Sequence, residues 1–142
     1  MSVFPKSRVL VPIDFSELSL EAIQVGLEMV DRPSHLYVFH VLPHLNPGEP
    51  GVMWRTVDDK NRKKHVEGAF REKFSGPEYE DVNFNSAIGT PSEEIIDYAN
   101  ANKIELIVIP SHGRTGLGRF LLGSVAEKVV RHAHCPVLVL RR

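Results

Sequence analysis

The stretch from Pro110 to Ser124 concentrates the residue types that can hold an anion: Pro-Ser-His-Gly-Arg-Thr-Gly-Leu-Gly-Arg-Phe-Leu-Leu-Gly-Ser. Gly113, Gly116 and Gly118 remove side chains where a ligand would approach the backbone. Gly123-Ser124 then opens a segment of helical periodicity, so the free amides and dipole of a helix start adjoin the loop, with the Ser124 hydroxyl as one more donor. Arg114 and Arg119 bring positive charge, and His112 is a further candidate contact. The chemistry this favours is phosphate binding through backbone amides. An ordinary glycine-rich connection would look much the same, and the loop alone leaves the two readings level. It is not a Walker P-loop, because no Gly-Lys-Ser/Thr follows a glycine after a four-residue gap, and no strand-adjacent Gly-x-Gly-x-x-Gly occurs.

A loop binds only if the elements around it hold it in place, and their pattern is strand alternating with helix. Arg8 to Ile13 and Glu105 to Ile109 are short apolar runs rich in β-branched residues, the pattern of strands buried on both faces. His35 to Leu42 is a further strand, and Pro136 to Leu140 closes the chain as another. Val82 to Ile88 alternates imperfectly, which suits a half-exposed edge strand. Between them, Ser16 caps a helix carrying Leu18, Ala22, Val25 and Met29. Val57 to Phe74 is a weakly amphipathic helix, and Gly123 to Ala133 carries a clean apolar face. Thr90-Pro91-Ser92-Glu93 predicts a helix start with Thr90 as cap, Pro91 in the first turn and Glu93 completing a capping box. Helices between successive strands imply an open, doubly wound α/β fold: a five-stranded parallel sheet with helices on both faces and right-handed crossovers. Ligands of such sheets bind outside the carboxyl ends of the strands, where strand order reverses. Asp14 and the loop after Ile109 lie at such ends.

Composition bounds the rest. The 142 residues suit one domain, and 42% apolar with 25% charged residues argues against disorder. Seventeen Lys and Arg against eighteen Asp and Glu leave a net charge of -1, so no global field draws in nucleic acid or an anionic membrane. No signal-like or membrane-length apolar run occurs, and the expectation is a cytoplasmic protein. Cys135, the single cysteine, reads as packing, not as a nucleophile. His132-x-His134 straddles a helix end and His40 and His44 flank a strand end, so neither pair has the helical i, i+4 geometry of a metal site.

Several segments together resemble the universal stress protein family over the length of the chain. Its nucleotide-binding members carry Gly, two residues, Gly, nine residues, then Gly-Ser or Gly-Thr. Here Gly113, the nine residues from Arg114 to Leu122, and Gly123-Ser124 fit that spacing. Val-Pro-Ile-Asp-Phe-Ser near the start, His-Val-Leu after the second strand, Gly-Thr-Pro-Ser-Glu-Glu-Ile, and Cys-Pro-Val-Leu-Val at the end are similar to the family as well. The resemblance implies a Rossmann-like sheet of order 3-2-1-4-5. It implies a site in which Pro12, Ile13 and Asp14 lie beside the nucleoside and the Val41 backbone reads the adenine edge. The phosphates would fall to Gly113, Gly123, Ser124 and Val125, with His112 and Arg114 nearby. The first glycine of the motif is replaced by Pro110, which has no amide to donate and a fixed φ.

The function this implies is binding of an adenine nucleotide, ATP or AMP, with or without Mg2+, by a stress-response protein that acts through its bound state. No residue stands out as a base for attack on a γ-phosphate, so any ATP hydrolysis is expected to be slow. The rival is a nucleotide-free member of the same fold serving as a dimeric interaction module, with Pro110 as its support. Adenylate-forming and nucleotidyl-transfer enzymes are disfavoured, since Ser-Gly-Gly-x-Asp-Ser and His-Ile-Gly-His are absent. In either reading the apolar last strand, Pro136 to Leu140, implies a homodimer.

Overall fold

A computed structural model of the chain describes residues 7–45, 58–112 and 122–141. Strands β1 (Val9–Ile13), β2 (Leu36–Leu42), β3 (Asn83–Ile88), β4 (Leu106–Pro110) and β5 (Val137–Leu140) alternate with helices α1 (Glu17–Glu28), α2 (Asp59–Lys73), α3 (Pro91–Ala101) and α4 (Ser124–His132). All pairings are parallel, and the order is β3-β2-β1-β4-β5, as the family resemblance implied. The chain winds outward from β1 to β3, then returns across the sheet to β4. Order therefore reverses between β1 and β4, and that is where a parallel sheet opens a crevice.

Side-chain alternation divides the interior into two layers. Val9, Val11, Ile13, Leu36 and Val38 pack with Ala22 and Ile23 of α1 and with Val66 and Phe70 of α2. Leu10, Phe39, Ile107 and Ile109 face Ile95 and Ala99 of α3 and Ala126 and Val129 of α4. Both faces are covered, so β1 and β4 are buried along their whole length. α2 is the most polar helix and buries only Val66 and Phe70, one turn apart. Phe70 stacks at 4.6 Å on Phe84 and at 5.1 Å on Phe74, and burial of such a ring contributes about 1.5–3 kcal/mol. Arg71 reinforces the docking by donating to the carbonyls of Tyr79 and Val82.

Three of the four helix starts fall where the sequence placed them, at Ser16, Thr90 and Gly123, and the capping differs in two respects. Ser16 caps α1 by accepting the Ser19 N–H, as expected. α2 starts on a cap the sequence reading lacked, Asp58, whose carboxylate accepts the Asn61 N–H at 2.8 Å. Thr90 occupies the N-cap position of α3 without a side-chain bond. That start rests on the preset φ of Pro91 and on Glu93 and Glu94 in the first turn, which favour the helix dipole.

Candidate functional site

β1 delivers Asp14 to the carboxyl end of the sheet, where the chain turns sharply. Phe15 takes φ 62°, a left-handed conformation uncommon for a bulky residue, and the turn folds Asp14 back on the start of α1. One carboxylate oxygen, Oδ1, accepts the Ser16 N–H at 2.9 Å. The Asp14 N–H donates to Ser19 Oγ at 3.2 Å, and Ser19 Oγ donates to the Ser16 carbonyl at 3.0 Å. On the next strand, His40 Nδ1 lies 2.7 Å from the Ile13 carbonyl, so that nitrogen carries the proton. Its ring stands edge-on to Phe15 at 5.0 Å.

Beyond that point β2 outruns β1. The last β1 residue, Ile13, is level with His40, and β2 continues to Leu42 alongside β3. The Leu42 carbonyl accepts the Gly89 N–H on the β3 side at 2.9 Å. Adjacent residues of a strand point their backbone groups to opposite edges, so the Val41 carbonyl points to the β1 side, past the last β1 rung. It is an acceptor at the rim of the crevice.

β4 supplies the opposite wall. Ile107 and Ser111 donate their N–H groups toward β5, to Pro136 and Leu140, so the backbone of Pro110 points the other way, toward β1. β1 and β4 are in register only at Val9–Leu106 and Leu10–Ile107. Past that pair Pro12 has no N–H to extend the ladder, the Asp14 N–H goes to Ser19, and Pro110 lines the cavity, so the amide that proline lacks would have faced the cavity side. That is why a buried strand accepts proline here. Next in the chain, Ser111 and His112 are buried, with Ser111 Oγ 3.1 Å from His112 Nδ1. The Ser111 carbonyl accepts the Gly123 N–H at 2.7 Å and so fastens the start of α4 to the end of β4.

A cavity of about 320 Å³ occupies this crevice. Pro12, Ile13, Asp14, Val41, Pro110, His112, Gly123, Ser124 and Val125 all line it, residues the sequence reading placed at one site. Gly113 and Arg114 lie outside the described residues. Gly123 stands in the wall, but its N–H is engaged by Ser111, which leaves the first turn of α4 to present Ser124 and Val125. The sequence reading missed Ser19, Phe39, Pro91, Ile95, Ile109, Ser111 and Ala126, which complete the lining. Most are apolar residues whose patterns mark them only as core. A second cavity of about 440 Å³ opens on the α1–α2 side between Asp14, Phe15, His40, Val41 and His65, so Asp14 and Val41 border both spaces. Among the described residues no group of three or more His, Cys, Asp or Glu is placed to share a metal ion, and no helix is long and apolar enough to cross a membrane.

The class these features define is a Rossmann-like parallel α/β domain with a cavity at the topological switch point. The universal stress protein family matches residues 6–141, and the chain belongs to that family. Universal stress protein MJ0531 of Methanocaldococcus jannaschii is 34% identical over 140 residues, which cover 95% of this chain and 82% of that protein. The solved structure of MJ0577 from the same organism superposes with a TM-score of 0.71 at 28% identity, covering 97% of each chain. A universal stress protein solved in complex with cAMP shares the fold at 22% identity and a TM-score of 0.60, covering 96% of this chain and 98% of its own.

Proposed function

We propose that the cavity between β1 and β4 binds an adenine nucleotide, ATP or AMP, and that the protein is a cytoplasmic stress factor acting through its nucleotide-bound state. The observation that carries this reading is the Val41 carbonyl at the rim of the cavity, past the end of β1. A carbonyl oxygen accepts the exocyclic amino group of adenine, whereas guanine would bring its O6 oxygen against it. The other parts fit a nucleotide laid across the switch point. Phe39, Ile95 and Ile109 give the base an apolar bed, Asp14 offers acceptors to ribose hydroxyls, and the first turn of α4 faces the phosphates. The family relative in complex with cAMP supports the same ligand class. Among the described residues of the lining Asp14 is the one acidic side chain, which gives Mg2+ no carboxylate cage there and leaves it to arrive with the phosphates.

The second reading, a nucleotide-free dimeric interaction module, has Pro110 in its favour. One experiment separates the two. Nucleotide released by denaturing freshly purified protein is identified by mass spectrometry, and ATP, AMP and GTP are titrated into the emptied protein with and without Mg2+. Release of an adenine nucleotide, with ATP or AMP bound and GTP rejected, is the expected result. No released nucleotide and no heat from ATP or AMP establishes the interaction module instead.

A further inference from the structure

Among the buried residues of α1, Ser19 alone has a polar side chain, and it is 2% exposed and on the cavity wall. A buried hydroxyl must be hydrogen-bonded, and this one is bonded in two directions that both converge on the Asp14 turn. It donates to the Ser16 carbonyl at 3.0 Å and accepts the Asp14 N–H at 3.2 Å. The Ser16 N–H in turn holds Asp14 Oδ1 at 2.9 Å. The left-handed Phe15 closes the ring by doubling the chain back, so that backbone and side chain of Asp14 are both tied to the first turn of α1. Ser19 thereby fixes Asp14 without needing to touch a ligand itself.

Resting on the nucleotide reading above, we propose that Ser19 is a positioning residue: it holds the backbone of the Asp14 turn, in which the Ser16 N–H orients the Asp14 carboxylate for a ribose hydroxyl, and so makes the site select ribonucleotides over deoxyribonucleotides. A carboxylate discriminates a hydroxyl from a hydrogen only when its lone pairs are held in place, because the hydrogen bond weakens steeply with misalignment. An anchoring role confined to helix α1 would stabilise the fold and leave sugar selectivity untouched. The two roles therefore separate on the choice of probe.

The probes are ATP, 2′-deoxyATP and 3′-deoxyATP, titrated calorimetrically into wild type, Ser19→Ala, Asp14→Asn and the double variant, with melting temperatures taken in parallel. Wild type is expected to prefer ATP over at least one deoxy analogue by about tenfold, the range of a hydrogen bond to a charged acceptor. Ser19→Ala should bring that ratio close to one by weakening ATP and sparing the analogue. Adding Asp14→Asn should cause no further change in the ratio, and Ser19→Thr, which keeps the hydroxyl, should restore most of it. Should Ser19→Ala not fold, Ser19→Cys keeps the volume, replaces the hydroxyl with a weak acceptor and must show the same collapse. An unchanged ratio in a folded Ser19 variant, or additive losses in the double variant, overturns the proposal. Wild type that binds ATP and both analogues equally overturns it while leaving nucleotide binding intact. Wild type that binds none of the three removes the nucleotide reading and this inference with it.

Discussion

Replacing Pro110 with glycine tests the site at its most unusual residue. The backbone of Pro110 faces the gap between β1 and β4, because Ile107 and Ser111 direct their N–H groups to β5. Glycine at this position returns an amide hydrogen aimed into the cavity and removes the pyrrolidine ring from its wall. One additional hydrogen bond to the ligand contributes about 0.5–1.5 kcal/mol, a gain in affinity of roughly two- to twelvefold. The fold should move in the opposite direction. No ladder bond is gained, the buried ring is lost, and the unfolded chain recovers freedom worth about 0.4–1 kcal/mol. Pro110→Gly should therefore bind ATP more tightly while melting at a lower temperature. Titration calorimetry at matched salt and Mg2+, with thermal unfolding followed by circular dichroism, reads both quantities. Affinity equal to or weaker than wild type in a folded variant would refute the placement of the missing amide. Stability gained on losing proline would refute the account of why the strand accepts it.

Three further expectations are independent of the ligand. Sedimentation at micromolar concentration should show about twice the 16.0 kDa chain mass, through the exposed edge of β5, and a clean monomer would remove that edge as an interface. Gly26→Ala should destabilise by about 1–3 kcal/mol in urea unfolding, because the added methyl would lie 2.7 Å from Val11 Cγ2 and 2.8 Å from Leu36 Cδ1. Burial raises the phenol of Tyr98 above its ordinary range, opposed by the hydrogen bond from Asn85. The folded state thus holds that proton more tightly than the unfolded chain. The resulting stabilisation is complete below the unfolded tyrosine value near 10 and fades as pH rises through the folded value. Tyr98→Phe should flatten that alkaline loss in thermal melts, and an unchanged slope would count against it.

Much of the architecture was legible because each layer writes its own period. The unbroken apolar runs at Val9 to Ile13 and Leu106 to Ile109 suit strands covered on both faces, and the structure covers them with α1 and α2 on one side and α3 and α4 on the other. The motif residues of the site were legible for a different reason. The spacing that singled out Gly123 and Ser124 survives in a sequence, and both line the cavity, while Gly113 lies outside the described residues. Less legible was whatever depends on where two elements meet. Phe39 and Ile95 read as core in any local window, and only their place beside the end of the β1–β4 ladder turns them into a cavity wall. Gly123 looked like an amide donor to a ligand, yet its N–H goes to Ser111, a partner twelve residues earlier that only the folded chain brings near. Thr90 carried a strong cap pattern without making the bond, because Pro91 and two acidic residues already favour that helix start.

The backbone of Ser111 works as a two-ended tether. Its N–H is pulled toward Leu140 in the last strand, and its carbonyl toward Gly123 ahead of α4, whose own carbonyl receives the N–H of Glu127. Three rungs thus run crosswise from the outer margin of the sheet to the first turn of a helix. The height of α4 above the cavity floor is set from the periphery, and the terminal strand acts as a ruler for the distance between floor and roof. Trimming the chain ahead of Leu140 would do more than shorten a margin. It would unhook the middle rung from its outer anchor and leave the wall built by Ser124 and Val125 without a fixed datum.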